Sequence, residues 1–133
     1  MTAGRVWKET LPDELLQTYL GGRGLGVRLL RGSYRLDPFS ADLPLIFAVG
    51  PLCGTPAPTA ARLSVVSRSP LTRTVCDSSA GGRFAWQLKS VGFDALQVVG
   101  CSPVPVVLQI DRRGGRLLPA EKLWGKSLPE TLA

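Results

Sequence analysis

The stretch LPLIFAV at residues 43–49 is continuously apolar and stops at Gly50. A short apolar run that ends at a turn residue is typical of a β-strand buried on both faces. The next stretch, GPLCGTPAPTAARLSVVSRSPLT at residues 50–72, opens as a loop rich in Gly, Pro and Thr. Its alternating segment LSVVS at 63–67 predicts a second strand, and Arg62 stands where the loop becomes that strand.

Downstream of the second strand, the sequence predicts a third strand and then a helix. We expect a short strand at 74–77 that leads into a loop, Ser-Ser-Ala-Gly-Gly, at 78–82. Phe84, Leu88 and Val91 then recur at helical spacing, and Gly92 ends that helix. Serine oxygens directly before a helix are typical caps, so Ser78 or Ser79 is the expected capping residue.

Two short helices are predicted upstream of residue 43. Pro12 and the acidic residues after it suit the first turn of a helix over 11–20, which Gly21-Gly22 ends. A second helical pattern runs through Leu25 and Leu30 and stops near Gly32. We expect the two to form a helical hairpin.

The last third of the chain predicts more strands. The runs at 94–99, 104–110 and 115–118 are rich in β-formers and indicate a meander, with Pro105 marking an edge strand. Residues 120–133 carry two short helical starts. Strands mixed with segregated helices place the chain in the α+β class, with a mixed or antiparallel sheet.

Composition sets limits on domain number and location. At 133 residues, 44% hydrophobic and 20% charged, the chain fits one globular domain spanning 1–133. No apolar run approaches the roughly 18 residues that span a bilayer. We therefore expect a cytoplasmic protein without a membrane partner.

The net charge of +6 leaves three kinds of surface open. Arginines are spread along the chain and form no basic run beyond a pair, so a plain basic surface and a site for an anionic ligand both fit. The third reading, a nucleic-acid surface, lacks any helix-turn-helix or RNP signature. We expect no nucleic-acid partner.

The inventory of reactive residues argues against a self-sufficient catalyst. The chain has no histidine, no Walker loop and no paired catalytic carboxylates. Cys53, Cys76 and Cys101 lie far apart without a Cys-x-x-Cys pair, so we expect reduced, buried thiols rather than an iron–sulfur or zinc site.

Two glycine-rich segments are candidate anion sites. Gly-Arg-Gly-Leu-Gly at 22–26 lacks the strand and spacing of a dinucleotide loop and predicts a tight turn between helices, with Arg23 able to reach an anion or a partner chain. The loop at 78–82 precedes a helix, where free N–H groups can bind phosphate or simply form a capped turn. Asp77 beside it could add a metal contact, although one carboxylate makes no metal site.

Arg62 is a candidate partner of the loop at 78–82 in binding an anion. If the strands on either side of the turn at 69–72 pair as a hairpin, Arg62 comes close to Ser79 and Gly81. A cation and a backbone anion nest that converge from two loops are more specific than either feature alone.

Four blocks resemble, in order and spacing, the N-terminal domain of the tungsten-dependent aldehyde ferredoxin oxidoreductases. They are LGGRGLGVRLL (20–30), GPLCGTPAPTAARLSVVSRSPLT (50–72), SSAGGRFAWQLKSVGFDALQVVG (78–100) and LWGK (123–126). The resemblance implies the first half of a duplicated α+β base domain that seats a bis-molybdopterin cofactor. In the family, this cofactor holds tungsten or molybdenum, and magnesium bridges its phosphates.

The resemblance also implies roles for individual residues. Arg62 matches the family arginine that contacts a pterin, and Ser79, Gly81 and Gly82 match the segment that binds the pterin phosphate. The backbone of Ser79 is the expected magnesium contact, since the family often has asparagine there and a backbone contact survives that change.

Family enzymes oxidise aldehydes to carboxylic acids and pass electrons through a four-iron four-sulfur cluster to ferredoxin. In the family, the cluster cysteines and the second pterin-binding half lie downstream of the region matched here, and the usual opening strand is either missing or cut to GRVW at 4–7. The implied role is therefore a cofactor-seating domain that is inactive without the remaining domains or a partner subunit. Two alternatives are a non-catalytic cofactor-binding or assembly module, and a degenerate remnant that acts through protein contacts, including contacts with a second copy.

Overall fold

The apolar run at 43–49 supplies a strand at the centre of the fold. The structure, a computed structural model, describes residues 4–132. Its elements in chain order are α1 (Asp13–Tyr19), α2 (Gly22–Leu30), β1 (Leu45–Val49), β2 (Leu63–Arg68), β3 (Val75–Ala80), α3 (Arg83–Ser90), β4 (Ala95–Val98), β5 (Val106–Asp111), β6 (Gly114–Pro119) and α4 (Leu128–Leu132).

β1 is an inner strand of a four-stranded antiparallel sheet with the order β3-β2-β1-β4. Ile46, Ala48 and Val49 are at most 1% exposed, so the prediction of a buried strand is confirmed. Leu45, at the entry to the strand, is 39% exposed. The predicted hairpin is also present, because β2 and β3 pair along their whole length.

The predicted meander is correct for its last two strands and wrong for its first. β4 pairs with β1, while β5 and β6 form a separate two-stranded sheet. Without β4, the backbone groups along the outer side of β1 would lack partners, and β4 satisfies them. Pro105 lies before β5 rather than inside it, where its carbonyl accepts a hydrogen bond from the Ala120 amide at 3.0 Å.

Helices cover both faces of the four-stranded sheet. Leu30 of α2 packs with Ile46 and Val66 on one face. Ala85 and Leu88 of α3 pack with Val49 and other residues on the opposite face. The two hydrophobic clusters give the sheet a core on each side, and the α+β prediction is confirmed.

The boundaries of the helices differ from the predictions in detail. Asp13 and Glu14 lie in the first turn of α1 as predicted, but Pro12 precedes the helix as its cap residue. α2 already begins at Gly22, so the glycines at 22–26 lie inside a helix rather than in a turn. The tail forms turns and then α4. Residue 133, which was part of the predicted tail, lies outside the described residues.

No helix within residues 4–132 combines the length and the apolar character needed to cross a membrane.

Gly21 joins α1 and α2 and brings α2 against the sheet. Its φ is 143°, and a Cβ added there would lie 2.5 Å from the carbonyl oxygen of Val49 and 3.1 Å from the Cα of Gly50. Five residues later, a Cβ on Gly26 would lie 2.6 Å from a methyl carbon of Val66. Glycine at both positions permits an approach that a side chain would prevent.

Gly21→Ala is therefore expected to lower the free energy of unfolding by about 1–3 kcal/mol, because the new Cβ meets a backbone oxygen and the backbone angle is nearly restricted to glycine. Chemical denaturation followed by circular dichroism measures this change. Gly32→Ala is the matched control, since a Cβ there meets no atom within 4 Å, and its effect should stay within about 0.5 kcal/mol. Equal stabilities for the two variants would contradict the close approach of Gly21 to the Val49 carbonyl.

Candidate functional site

One end of the four-stranded sheet gathers the segments that carry the predicted site. We call this end the rim, and define it as the end where β1 and β3 finish and β2 begins. Register pairs Val49 with Leu63, and Leu63 with Ala80, across these three strands. The loop at 50–62, the glycines at 81–82 and the first turns of two helices therefore meet at the rim.

Arg62 stands directly before β2 at the rim. Leu63 pairs with Ala80 at the end of the ladder, and Arg62 and Gly81 are the residues that adjoin this last pair. Arg62 is exposed, and its side chain forms no hydrogen bond or ion pair within residues 4–132. The structure thus confirms the hairpin of β2 and β3, which places Arg62 and Gly81 at the same end of the ladder, while the approach of Arg62 to Ser79 and Gly81 stays a prediction.

Ser79 lies inside a strand, which corrects the predicted loop at 78–82. The pairing of β3 with β2 continues to Ala80, and Ser79 pairs with Ser64. All six residues of β3 are exposed. The prediction that Ser78 or Ser79 caps the next helix is also wrong, because the cap residue is Gly82 and no side chain bonds to that helix end.

Gly81 and Gly82 link β3 to α3 in open space. A Cβ on either residue would meet no atom within 4 Å, and the φ of Gly82 is 111°. The first amides of α3 have no partner inside the helix, and they carry the positive end of its dipole. Arg83, the first helical residue, is exposed and has no ion-pair partner in the described part of the chain.

Arg23 and Asp77 form an ion pair that links α2 to β3. The Nε of Arg23 donates to a carboxylate oxygen of Asp77 at 2.7 Å. The sequence analysis considered Arg23 as a contact for an anion or a partner chain, and Asp77 as a contact for a metal. In the structure, the two side chains bind each other instead. No group of three or more His, Cys, Asp or Glu side chains suited to a metal exists among residues 4–132.

Of the three cysteines, which were all expected to be buried, only Cys53 is buried. Cys53 is 2% exposed in the cluster under α3, and this burial raises the pKa of its thiol, although Lys89 nearby acts in the opposite direction. Cys76 and Cys101 are exposed, so the expectation that they are buried is wrong. The loop at 50–62 thus places its cysteine in the core and its arginine at the surface.

Ser64 is a rim residue that sequence reasoning missed. It is 9% exposed, it faces α2, and it pairs with Ser79 in the ladder. The signal in the sequence was a hydroxyl at an inward position of the run LSVV, where an apolar residue is expected.

Comparison with known proteins points to one family. Residues 1–133 match the family model described as aldehyde ferredoxin oxidoreductase, N-terminal domain. The tungsten-containing aldehyde ferredoxin oxidoreductase of Pyrococcus abyssi is 40% identical over 133 residues, which are 98% of this chain and 22% of that protein. The protein of the same description from Pyrococcus furiosus is 38% identical over 135 residues, covering 100% of this chain and 22% of the relative.

A solved structure has the same fold over almost the whole chain. It is described as the active site complex BamBC of benzoyl coenzyme A reductase in complex with 1,5-dienoyl-CoA. The TM-score is 0.93 at 35% identity, and the match covers 98% of this chain and 20% of that chain. The chain therefore spans about a fifth of the length of the relatives that it matches.

Iodoacetamide at about pH 8 is expected to alkylate Cys76 well before Cys53. Cys76 is exposed, whereas burial hinders access to Cys53, and its raised pKa leaves less of the reactive thiolate at this pH. Mass spectrometry of digested samples measures the order of reaction, and the same reaction in denaturant should bring the two rates together. If Cys53 reacts as fast as Cys76 in the folded protein, the loop at 50–62 is not packed as described.

Proposed function

Since this chain belongs to the aldehyde ferredoxin oxidoreductase family, whose N-terminal domain it matches over residues 1–133, we propose that the rim seats the phosphate end of a pterin cofactor. The observation that carries the proposal is Arg62, an exposed cation without a partner in residues 4–132, directly before the Leu63–Ala80 pair that Gly81 follows. Residues 1–133 would then be one domain of a longer enzyme.

The residues at the rim fit a phosphate group. A phosphate needs several hydrogen-bond donors and positive charge, and donors with charge assistance bind it most strongly. Arg62 offers a guanidinium that no carboxylate in the described residues neutralises. The first amides of α3 offer donors at a positive helix end, and Gly81 and Gly82 leave room beside them.

Each rim residue has a binding or orienting role in this proposal. Arg62 pairs with the pterin or its phosphate, and the amides after Gly82 receive phosphate oxygens. The backbone of Ser79 would help to hold a magnesium ion that accompanies the phosphate. When bound, the cofactor with its tungsten or molybdenum supplies the redox chemistry.

The activity of the longer enzyme is part of the same proposal. Its first candidate reaction is the oxidation of an aldehyde to a carboxylic acid, with electrons passed through an iron–sulfur cluster in other domains to ferredoxin in the cytoplasm. This assignment rests on relatives that are 38–40% identical. The likeness to the benzoyl coenzyme A reductase complex favours a second candidate, in which the same seat serves an enzyme acting on a coenzyme A thioester.

Exposed apolar side chains support partner domains or subunits around this one. Phe84 and Trp86 of α3 are 48% and 49% exposed, and Trp124 near the end of the chain is 78% exposed. Large exposed aromatic residues often mark a surface that another protein segment covers. The same surface would serve the alternatives, an assembly module or a remnant that acts through protein contacts alone.

Arg62→Ala is expected to weaken the binding of inorganic pyrophosphate with Mg²⁺ by about tenfold or more, because a charge-assisted contact to phosphate is lost. Isothermal titration calorimetry on the full chain measures the affinity. The free energy of unfolding should change by no more than about 0.5 kcal/mol, since the Arg62 side chain is exposed and makes no polar contact within residues 4–132.

Arg112→Ala is the matched control for Arg62→Ala. Arg112 is exposed in the turn between β5 and β6, outside the four-stranded sheet. Its loss removes the same charge from the protein but should leave the affinity for pyrophosphate within about twofold of the parent, because an exposed charge that does not contact the ligand is screened by solvent and salt. Equal affinities for the parent and Arg62→Ala would remove the role that we give to Arg62.

The purified 133-residue chain is expected to show no aldehyde-dependent dye reduction, because in this proposal the remaining domains complete the site. The assay is run with metal analysis of the same sample, so that a missing metal is not mistaken for a missing domain. Dye reduction by this chain alone, in proportion to its tungsten or molybdenum content, would show that the domain is catalytic by itself and would contradict the proposal.

A further inference from the structure

The first turn of α2 presents unpaired amides at the rim. The first backbone bond at this end of α2 runs from the Leu25 amide to the Gly21 carbonyl at 3.4 Å, so the amides of residues 22–24 have no partner inside the helix. Gly21 is the cap residue, and no side chain bonds to this helix end. Gly22 has a φ of 54° and is followed by helical residues, a sequence of conformations that turns successive amides toward one point.

Ser64 supplies a second, independent observation at this helix end. A Cβ on Gly22 would lie 3.7 Å from the Ser64 hydroxyl oxygen, so this hydroxyl lies beside the first turn of α2. The residue is only 9% exposed, yet its hydroxyl makes no hydrogen bond within the described chain. No fully enclosed side-chain polar atom of residues 4–132 lacks a partner, so the hydroxyl keeps some access to the surface.

The Ser64 hydroxyl has no hydrogen-bond partner within the described chain and is open to one from outside it. Buried polar groups are paired in most proteins, and an unpaired one lowers stability. Alanine at position 64 would lose no hydrogen bond inside the described chain, because no described residue bonds to the Ser64 oxygen. The Ser64 hydroxyl lies beside the three unpaired amides at the start of α2, and together they offer a group of donors.

The charges around this place favour an anion. The dipole of α2 contributes a positive end. Asp77 lies on the same face of the sheet, but its carboxylate is paired with Arg23. Ser79, the ladder partner of Ser64, places this helix end beside the site proposed for the cofactor.

We propose that the first turn of α2, with the amides of residues 22–24 and the hydroxyl of Ser64, is a second phosphate-binding subsite. It receives a phosphate oxyanion of the same ligand whose other contacts are Arg62 and the first turn of α3. The inference rests on the proposed function for the identity of that ligand. The subsite itself follows from the donors and can be tested with inorganic phosphate alone.

The test is a titration of the ¹⁵N-labelled full chain with inorganic phosphate at constant ionic strength, with chloride as the control anion. Saturable shifts of the Gly22 and Gly24 amides are expected with phosphate and not with chloride. Ser64→Ala should weaken this response by about tenfold, the loss expected for a hydrogen bond to a charged group. Ser78→Ala, on the opposite face of the neighbouring strand, is the matched control and should leave it unchanged.

The outcomes separate the subsite from the proposed function. If the amides of Gly82 and Arg83 respond but those of Gly22 and Gly24 do not, the subsite is overturned and the role of Arg62 stands. If Gly22 and Gly24 respond while Arg62→Ala leaves every phosphate and pyrophosphate affinity unchanged, the subsite stands and the proposed function falls. A Ser64→Ala variant that responds like the parent overturns the part assigned to the hydroxyl, and no response at either helix end overturns both.

Discussion

The contact between α2 and the sheet is the constraint on which the rest of the structure depends. Gly21 lets the chain pass against the Val49 carbonyl, and Gly26 lets the helix backbone approach Val66. With side chains at these positions, the helix would have to move away from the sheet and would uncover Ile46 and Leu30. The approach also fixes where α2 begins, because Gly21 is both the contact with β1 and the cap of the helix. The same contact therefore builds the core and brings a helix end to the rim.

Function at the rim follows from the antiparallel hairpin of β2 and β3. Pairing of Leu63 with Ala80 joins the loop at 50–62 to the glycines at 81–82, although nearly twenty residues separate them along the chain. The hairpin is a favourable support for such a site because β2 is buried while β3 is exposed, so one strand is fixed by the core and the other is accessible. Arg62 extends from the fixed strand. A ligand at the rim would therefore meet a cation whose backbone is held in place by the core.

The sequence predicts most of the strands and two of the pairings, β2 with β3 and β5 with β6, but it does not predict that β4 joins β1. The apolar run at 43–49 and the alternation at 63–67 show in their own residues which side chains are buried, so the sequence predicts both strands. The partner of β4 is not predicted, because β4 pairs with a strand more than forty residues earlier and nothing in the composition of β4 indicates that pairing. Ser78 to Ala80 have the composition of a loop, and only the hydrogen bonds to β2 make them a strand. Arg62 was found through spacing and resemblance, whereas Ser64 needed coordinates to show that its hydroxyl is unpaired.

The central claim is that the rim binds a phosphate group through Arg62 and the glycines that follow β3. A crystal structure of the full chain grown with pyrophosphate and Mg²⁺ tests this most directly. The account predicts phosphate density at the rim, within hydrogen-bonding distance of the Arg62 guanidinium and of the amides that follow Gly82. Density bound only elsewhere, or a rim without phosphate in crystals whose pyrophosphate concentration exceeds the measured dissociation constant, would contradict it.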